Sequence, residues 1–416
     1  MTEAKLNSLD LDYIRSCFPT FKEPLAAKTA FFENAGGSYV AGAVIDQLMH
    51  FYTHNKVQPY GAAEILNHAG HQMDAGRQTM AELLGISSTD LTLGASTTQN
   101  FNTLAYACDT LVDEQSEVIV TAQDHEANIG AWERLCQRTG ATLKTWQINP
   151  STAELELDDF KALLTEKTAI VCMTHSSNIV GTINPVEQVI ALCRQNGTRI
   201  VIDGVSYAPH QWPDISTLAP DAYCFSTYKT YATHLGVMYT REDFRTRLNP
   251  QCHYFNLGYP SKQLDGAGPD HASIAALAGL GDYFNGAHQH HFGASELSLS
   301  EKAQQVSGLM HNHETTLCQQ LLDGIADLPL SILGRNHIEG REANIALTSS
   351  SMSSADLSSR LADQDIAAGN GHFYALRLLE SAGIKDTDDG VLRISFSHYN
   401  SNDDVDRVIK CLQSCH

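Results

Sequence analysis

The chain has 416 residues, 43% of them hydrophobic and 18% charged, the proportions of a globular protein that buries a sizeable core. Its 27 basic and 48 acidic side chains leave a net charge of −21. That charge makes it a poor fit to the phosphate backbone of nucleic acid or to an anionic membrane surface, while a single small anion, which needs only a local cluster of donors, stays within reach.

The N-terminal MTEAKLNSLDLDYIRSCF is acidic and lacks a continuous apolar run, so it does not read as a secretory signal. No stretch is apolar for long enough to span a bilayer. The expectation is a reduced, cytoplasmic protein whose ten cysteines serve mostly as small core hydrophobes. Short β-rich runs then alternate with amphipathic ones. EVIVT at 117–121 reads as a strand, and AWERLCQRTG at 131–140 as a helix stopped by Gly140. TAIVCMT at 168–174 suits a strand buried on both faces. Pro185 opens a helix that ends at Gly197, and RIVI at 199–202 and AYCFS at 222–226 are further strands. This pattern predicts a mostly parallel sheet covered by helices, an α/β fold. GLGDYFNG at 279–286 follows no apolar strand and is not a dinucleotide fingerprint. His288, His290, His291, His311 and His313 come without CxxC or HExxH, so they read as a polar loop and helix surface, with no metal. Beyond residue 300 a long helix, the strand RISFS at 393–397 and a final helix at 402–413 suggest a smaller unit. The expected division is a large α/β domain over 20–295 and a small α+β domain formed by 1–19 and 296–416, with the first residues packed on the smaller one.

In parallel α/β sheets, ligands gather beyond the carboxyl ends of the strands. Asn178 follows the strand at 168–174, Asp203 follows RIVI, and Lys229 follows AYCFS. Ser96, Thr97 and Thr98 follow LTLGA and precede a helix beginning near Gln99. These positions fit pyridoxal phosphate. Its aldehyde needs a lysine amine for a Schiff base, and its ring nitrogen needs a carboxylate to stay protonated. Its phosphate needs hydroxyls and N–H groups at a helix start. Taken singly, the aspartate reads equally as a helix cap and the lysine as a solvated loop tip.

Six segments sharpen the choice: FFENAGGS (31–38), TAQDHEANIGAW (121–132), THSSNIVGTINPV (174–186), VIDGVSYAPH (201–210), FSTYKTYATHLGVMY (225–239) and VLRISFSHYNSNDDVDRVI (391–409). In order, over about 30 to 410, they resemble the class V aminotransferase-like enzymes of fold type I, the group containing cysteine desulfurases and selenocysteine lyases. The resemblance implies pyridoxal 5′-phosphate as cofactor. It implies Lys229 as the Schiff-base lysine, Asp203 at the pyridinium and His125 stacked on the ring, these three being the catalytic set. It places Asn178 at the ring oxygen, and Ser226 with the Ser96–Thr98 turn at the phosphate. Arg393, with Asn34, would hold the carboxylate of an amino-acid substrate. It also implies a homodimer with sites at the subunit interface, the 256–271 region reaching into the partner's site.

Four positions depart from the group. Tyr374, within AAGNGHFYALRLLE (367–380), stands where desulfurases carry the cysteine that takes up sulfur. Ser206 replaces a glutamine near the ring oxygen. Tyr228 replaces the histidine before the lysine, its hydroxyl within reach of the phosphate. Gly268 falls where a threonine commonly reaches the partner's phosphate. The expected reaction is a β-elimination that breaks a C–S or C–Se bond without a persulfide cysteine, Tyr374 lining the substrate pocket. The alternatives are a class V aminotransferase and an amino-acid epimerase of the isopenicillin N epimerase type. A purely binding role for the fold is disfavoured because Lys229 and Asp203 are both present.

Overall fold

Seven strands make one sheet in a computed structural model that describes residues 8–415. Across it the order is Leu91–Gly94, Gly236–Thr240, Ala222–Ser226, Arg199–Asp203, Thr168–Thr174, Glu117–Thr121 and Thr142–Trp146. The last five run parallel. Gly236–Thr240 is antiparallel to both of its neighbours. Helices cover both faces, so the central strands are buried along their length and can be continuously apolar. The fold is α/β with a mostly parallel sheet, as expected. The antiparallel strand has no counterpart in the sequence reading, because GVMYT looks locally like the end of the lysine segment. It returns the chain along Ala222–Ser226 and thereby makes Lys229 part of a tight hairpin loop.

A second, antiparallel sheet joins Leu330–Leu333, Asn344–Ser349, Val391–Ser395 and Gly369–Gly371. Its third strand stops at Ser395, two residues short of the expected RISFS run, because Asn400 Oδ1 accepts the Ser397 N–H and turns the chain. The short strand Ala30–Phe31 pairs in parallel with Ile366–Ala367, and Glu33 bridges Ser395. Residues 30–33 are therefore woven into the C-terminal part of the chain, which sets Glu33 beside Arg393.

Helix Leu299–Ile325 begins at a capping box between Ser298 and Glu301 and packs on both Ala278–Phe292 and the final helix Asn402–Ser414. Helix Leu11–Ser16 joins both parts of the chain, where the sequence suggested only the smaller. Arg15 bonds Asp404 at 2.6 Å and the Tyr399 carbonyl, while Tyr13 stacks on His290. Residues 1–7 lie outside the described residues. The histidine-rich stretch is helix, not loop. His288 is buried against Gln305, and His290 pairs with Asp10. Helix Val186–Asn196 starts one residue later than expected, with Pro185 as its cap. Among the described residues no helix is long and apolar enough to cross a membrane. All ten cysteines are free, and seven of them are buried.

Candidate active site

Lys229 owes its position to the hairpin. Ser226 ends its strand, and a single 3-10 turn, Thr227–Lys229, follows. The Thr227 hydroxyl binds the Thr233 carbonyl across the loop, and its N–H donates to Leu235. Lys229 is thereby buried. Burial, helped by the Arg393 guanidinium, lowers its amine to about 8, with Asp203 and Glu33 pulling the other way.

Asp203 closes the strand Arg199–Asp203, and its Oδ1 accepts the Val205 N–H at 2.9 Å. Burial raises its carboxyl to about 6, against the pull of that N–H and of Lys229. His125 caps helix Glu126–Thr139, its Nδ1 accepting the Ala127 N–H at 3.0 Å. That bond leaves the proton of the neutral ring on Nε2. Burial, with Lys229 and Arg393, pushes the imidazole down to about 4. Ser96 caps helix Thr97–Ala107 by accepting the Gln99 N–H. The helix thus opens two residues before Gln99, and Thr97 Oγ1 meets Ser226 Oγ at 2.7 Å.

These side chains converge. Ser96, Thr97, Thr98, His125, Asn178, Asp203, Ser206, Ser226, Tyr228 and Lys229 all line one cavity that opens to solvent. His234 joins them, a residue the sequence reading passed over. Its ring stacks on Tyr228 at 4.5 Å, and its Nδ1 faces the Ala95 carbonyl. Tyr228 therefore lies flat on His234 beside the opening of helix Thr97–Ala107.

The residues expected at the substrate have more partners than the sequence suggests. Arg393 is fully buried. It donates to Glu33 at 2.5 Å and to the Asn178 carbonyl at 3.2 Å, and it lies 3.7 Å over the Phe373 ring. Its Nε is buried with no partner. Glu33, also absent from the sequence reading, accepts the Gly369 N–H with its other oxygen. The Asn34 amide donates to the Ser395 and Phe31 carbonyls and accepts from Tyr399, so it ties the N-terminal segment to the second sheet. The Asn178 amide donates to the Phe373 carbonyl at 2.9 Å.

Tyr374 is 68% exposed and sits 5.1 Å from the His125 ring. Phe373 and Tyr374 both have left-handed backbones, with φ of 46° and 61°. That conformation costs such residues roughly 1–3 kcal/mol each. The loop is held there by three bonds. Asn178 takes the Phe373 carbonyl, the Glu126 N–H takes the Tyr374 carbonyl, and Arg377 pairs with Glu126 at 2.7 Å. It is a pinned wall over His125.

Asp124 is a further buried carboxyl behind His125. It accepts from Asn128 at 2.7 Å and contacts the Thr121 hydroxyl. Burial raises it from 3.8 to about 8, with the charge of Asp203 adding to the shift. The folded state thus keeps a proton that the unfolded state loses. This group's contribution to stability is greatest below 3.8 and declines as pH rises towards 8. Asp124→Asn can keep both hydrogen bonds and cannot ionise. Its melting temperature should exceed the wild type's near pH 8 and converge with it near pH 4, as differential scanning calorimetry across that range would show.

The donor set fits pyridoxal phosphate: a buried amine, a carboxylate lining the same cavity, a neutral imidazole, and hydroxyls at a helix N-terminus. A family model described as Aminotransferase class-V matches residues 30–408. The chain belongs to that family. Its members use pyridoxal 5′-phosphate, and the chain is a class V enzyme of the cysteine desulfurase or aminotransferase kind. The aminotransferase-like protein FGM3 of Gibberella zeae is 29% identical over 98% of each chain. A cysteine desulfurase of Cronobacter sakazakii is also 29% identical, over 98% of this chain and 99% of its own. Among solved structures, the apo cysteine desulfurase of Thermococcus onnurineus NA1 superposes with a TM-score of 0.84 at 20% identity, covering 95% of this chain and 97% of that one. The cysteine desulfurase CsdA of Escherichia coli gives 0.82 at 21%, covering 98% of each. At those identities the likeness speaks for the fold, which is that of fold type I pyridoxal-phosphate enzymes.

Proposed function

We propose that this class V enzyme is a lyase that removes a sulfur- or selenium-bearing group from the β-carbon of an amino acid by elimination, with no enzyme cysteine taking part. The observation that carries this reading is Lys229, Asp203 and His125 around one cavity, with Tyr374 rather than a thiol against His125. When bound, pyridoxal phosphate supplies an electron sink for the carbanion formed at the substrate α-carbon. Lys229, with its amine near 8, takes the α-proton as general base. Asp203, ionised at neutral pH, holds a proton on the pyridine nitrogen. His125 presents a neutral imidazole face. The Ser96–Thr98 turn and Ser226 hold the phosphate with hydroxyls and helix N–H groups. Arg393 offers its unpaired Nε–H and a planar guanidinium to the substrate carboxylate, which takes over from Glu33.

Departure of a thiol from the β-carbon needs no nucleophile on the protein, so a tyrosine at 374 is compatible with it. Among the described residues no cysteine lines the cavity. Burial pushes the thiols of Cys172 and Cys224 well up, far from the reactive thiolate form. The test is incubation of the cofactor-loaded protein with L-cysteine, L-selenocysteine and an S-conjugate of cysteine. Pyruvate and ammonia should appear with the released thiol or selenol. Alanine with sulfur retained on the protein would overturn the reading. A second reading, aminotransferase, draws on the relative named aminotransferase-like, and the amino form of the cofactor accumulating without a keto acid would favour it.

The active unit proposed is a homodimer. Tyr254, Phe255, Leu257 and Tyr259 are exposed along one segment that runs into the 256–271 region. Sedimentation as a monomer at assay concentration would count against it.

A further inference from the structure

The cofactor's phosphate carries about −1.5 to −2 charges at neutral pH, and it has to be held by a chain of net charge −21. Where helix Thr97–Ala107 opens, the side chains are neutral. Ser96 accepts the Gln99 N–H, and the Thr97 and Ser226 hydroxyls share one hydrogen bond at 2.7 Å. Burial keeps the Tyr228 phenol neutral, and its hydroxyl faces Ser226. The helix start adds about half a positive charge, which leaves roughly one charge or more uncompensated.

The titratable side chains lining the cavity are His125, Asp203, Tyr228, Lys229 and His234. Three of these can be cations. Lys229 is the amine for the cofactor's aldehyde. Burial, with Lys229 and Arg393, pushes the His125 imidazole down to about 4. His234 is the third, and it is exposed as well as cavity-lining.

The fold fixes where the His234 ring stands. Strand Gly236–Thr240 returns beside Leu91–Gly94, with Gly236 opposite Gly94. A Cβ on Gly236 would lie 2.3 Å from the Ser96 carbonyl carbon and 2.5 Å from the Thr97 nitrogen. A glycine is needed for the strand to press so closely onto the helix start. His234, two residues earlier, is held at the same turn. Its Nδ1 lies 3.1 Å from the Ala95 carbonyl, which only accepts, so Nδ1 carries a proton. Its ring stacks on Tyr228 with centroids 4.5 Å apart and planes at 3°. Nε2 is the nitrogen left for a ligand, and on the neutral ring it bears no proton.

We infer that His234 binds the cofactor's phosphate as an imidazolium, donating from Nε2 while Nδ1 stays on the Ala95 carbonyl. The inference rests on the reading of Lys229 as the amine for the aldehyde and of the Ser96–Thr98 turn as the phosphate site. A dianion beside the ring favours its charged form, so the phosphate binds with uptake of one proton onto Nε2. The far arm of the hairpin thus contributes the charge that Tyr228, standing in place of a histidine, cannot.

The test compares pyridoxal 5′-phosphate with pyridoxal, which has the same ring and aldehyde and no phosphate. Binding of each to cofactor-free protein is followed by visible absorbance. His234→Gln keeps an amide that can donate to Ala95 and removes the charge. It should weaken pyridoxal 5′-phosphate by roughly tenfold to a hundredfold, the scale of a hydrogen bond to a charged group, and pyridoxal by less than about twofold. The melting temperature of the cofactor-free variant should match that of wild type. Equal weakening of both ligands would make His234 a support for Tyr228, and unchanged binding of both would remove it from the site; either result overturns the inference. A second measurement needs no variant beyond one for assignment. In carbon-13 histidine NMR of the wild type, the midpoint of His234 protonation should lie higher with pyridoxal 5′-phosphate bound than with pyridoxal bound, and equal midpoints would also overturn it. Wild type that takes up neither ligand would refute the cofactor reading of the cavity itself, and the inference with it.

Discussion

Lys229→Ala protein is colourless under conditions in which wild type supplied with pyridoxal phosphate is yellow, and its turnover falls by about 10⁴-fold or more. Lys229 is the one amine among the residues lining the cavity, so covalent attachment is lost with it. General-base catalysis alone contributes about 10²–10⁴-fold, and the attachment adds to that. The fold survives, because the buried amine is a destabilised cation. Its value is about 8 in the native protein against 10.5 unfolded, so the native state binds fewer protons between those limits. Wild-type stability is therefore depressed in full below 8 and recovers as pH rises towards 10.5. Cofactor-free Lys229→Ala should lack that rise and melt no lower than cofactor-free wild type at neutral pH. A yellow, active variant would remove the basis of the proposed chemistry.

Asp203→Asn protein still binds the cofactor and stays yellow, but its kcat falls by about 10²–10³-fold, the scale of losing one preorganised electrostatic contact to developing charge. Asparagine keeps the side-chain oxygen that accepts the Val205 N–H, so the strand end is undisturbed. It carries no charge to hold a proton on the ring nitrogen, and the electron sink weakens. In wild type, Asp203 takes up its own proton as pH falls through about 6, or lower once a cation sits beside it. The wild-type rate should therefore show an acid limb at or below that pH which Asp203→Asn lacks. Steady-state rates of both proteins across pH 5–8 check this. Equal rates would place the pyridine nitrogen elsewhere.

The residues foreseen for the cofactor cavity share one property. Lys229, Asp203, Asn178 and the Ser96–Thr98 turn each follow a strand that is legible as a short apolar run. A parallel sheet brings strand ends together whatever the rest of the chain does. Their order along the chain and their meeting in one cavity could therefore be read together. The antiparallel strand Gly236–Thr240 was not legible, because a five-residue run carries no direction.

The sequence by itself determined the parallel core of the sheet and the cofactor class, since each follows from local pattern and motif order. Tertiary structure alone decided that Glu33 holds Arg393, that His234 backs Tyr228, that burial raises the Asp124 carboxyl, and that His210 meets Glu314. The reason is physical. Residues 33 and 393, or 210 and 314, come together through packing between distant elements. Once there, burial rather than residue type sets their charge.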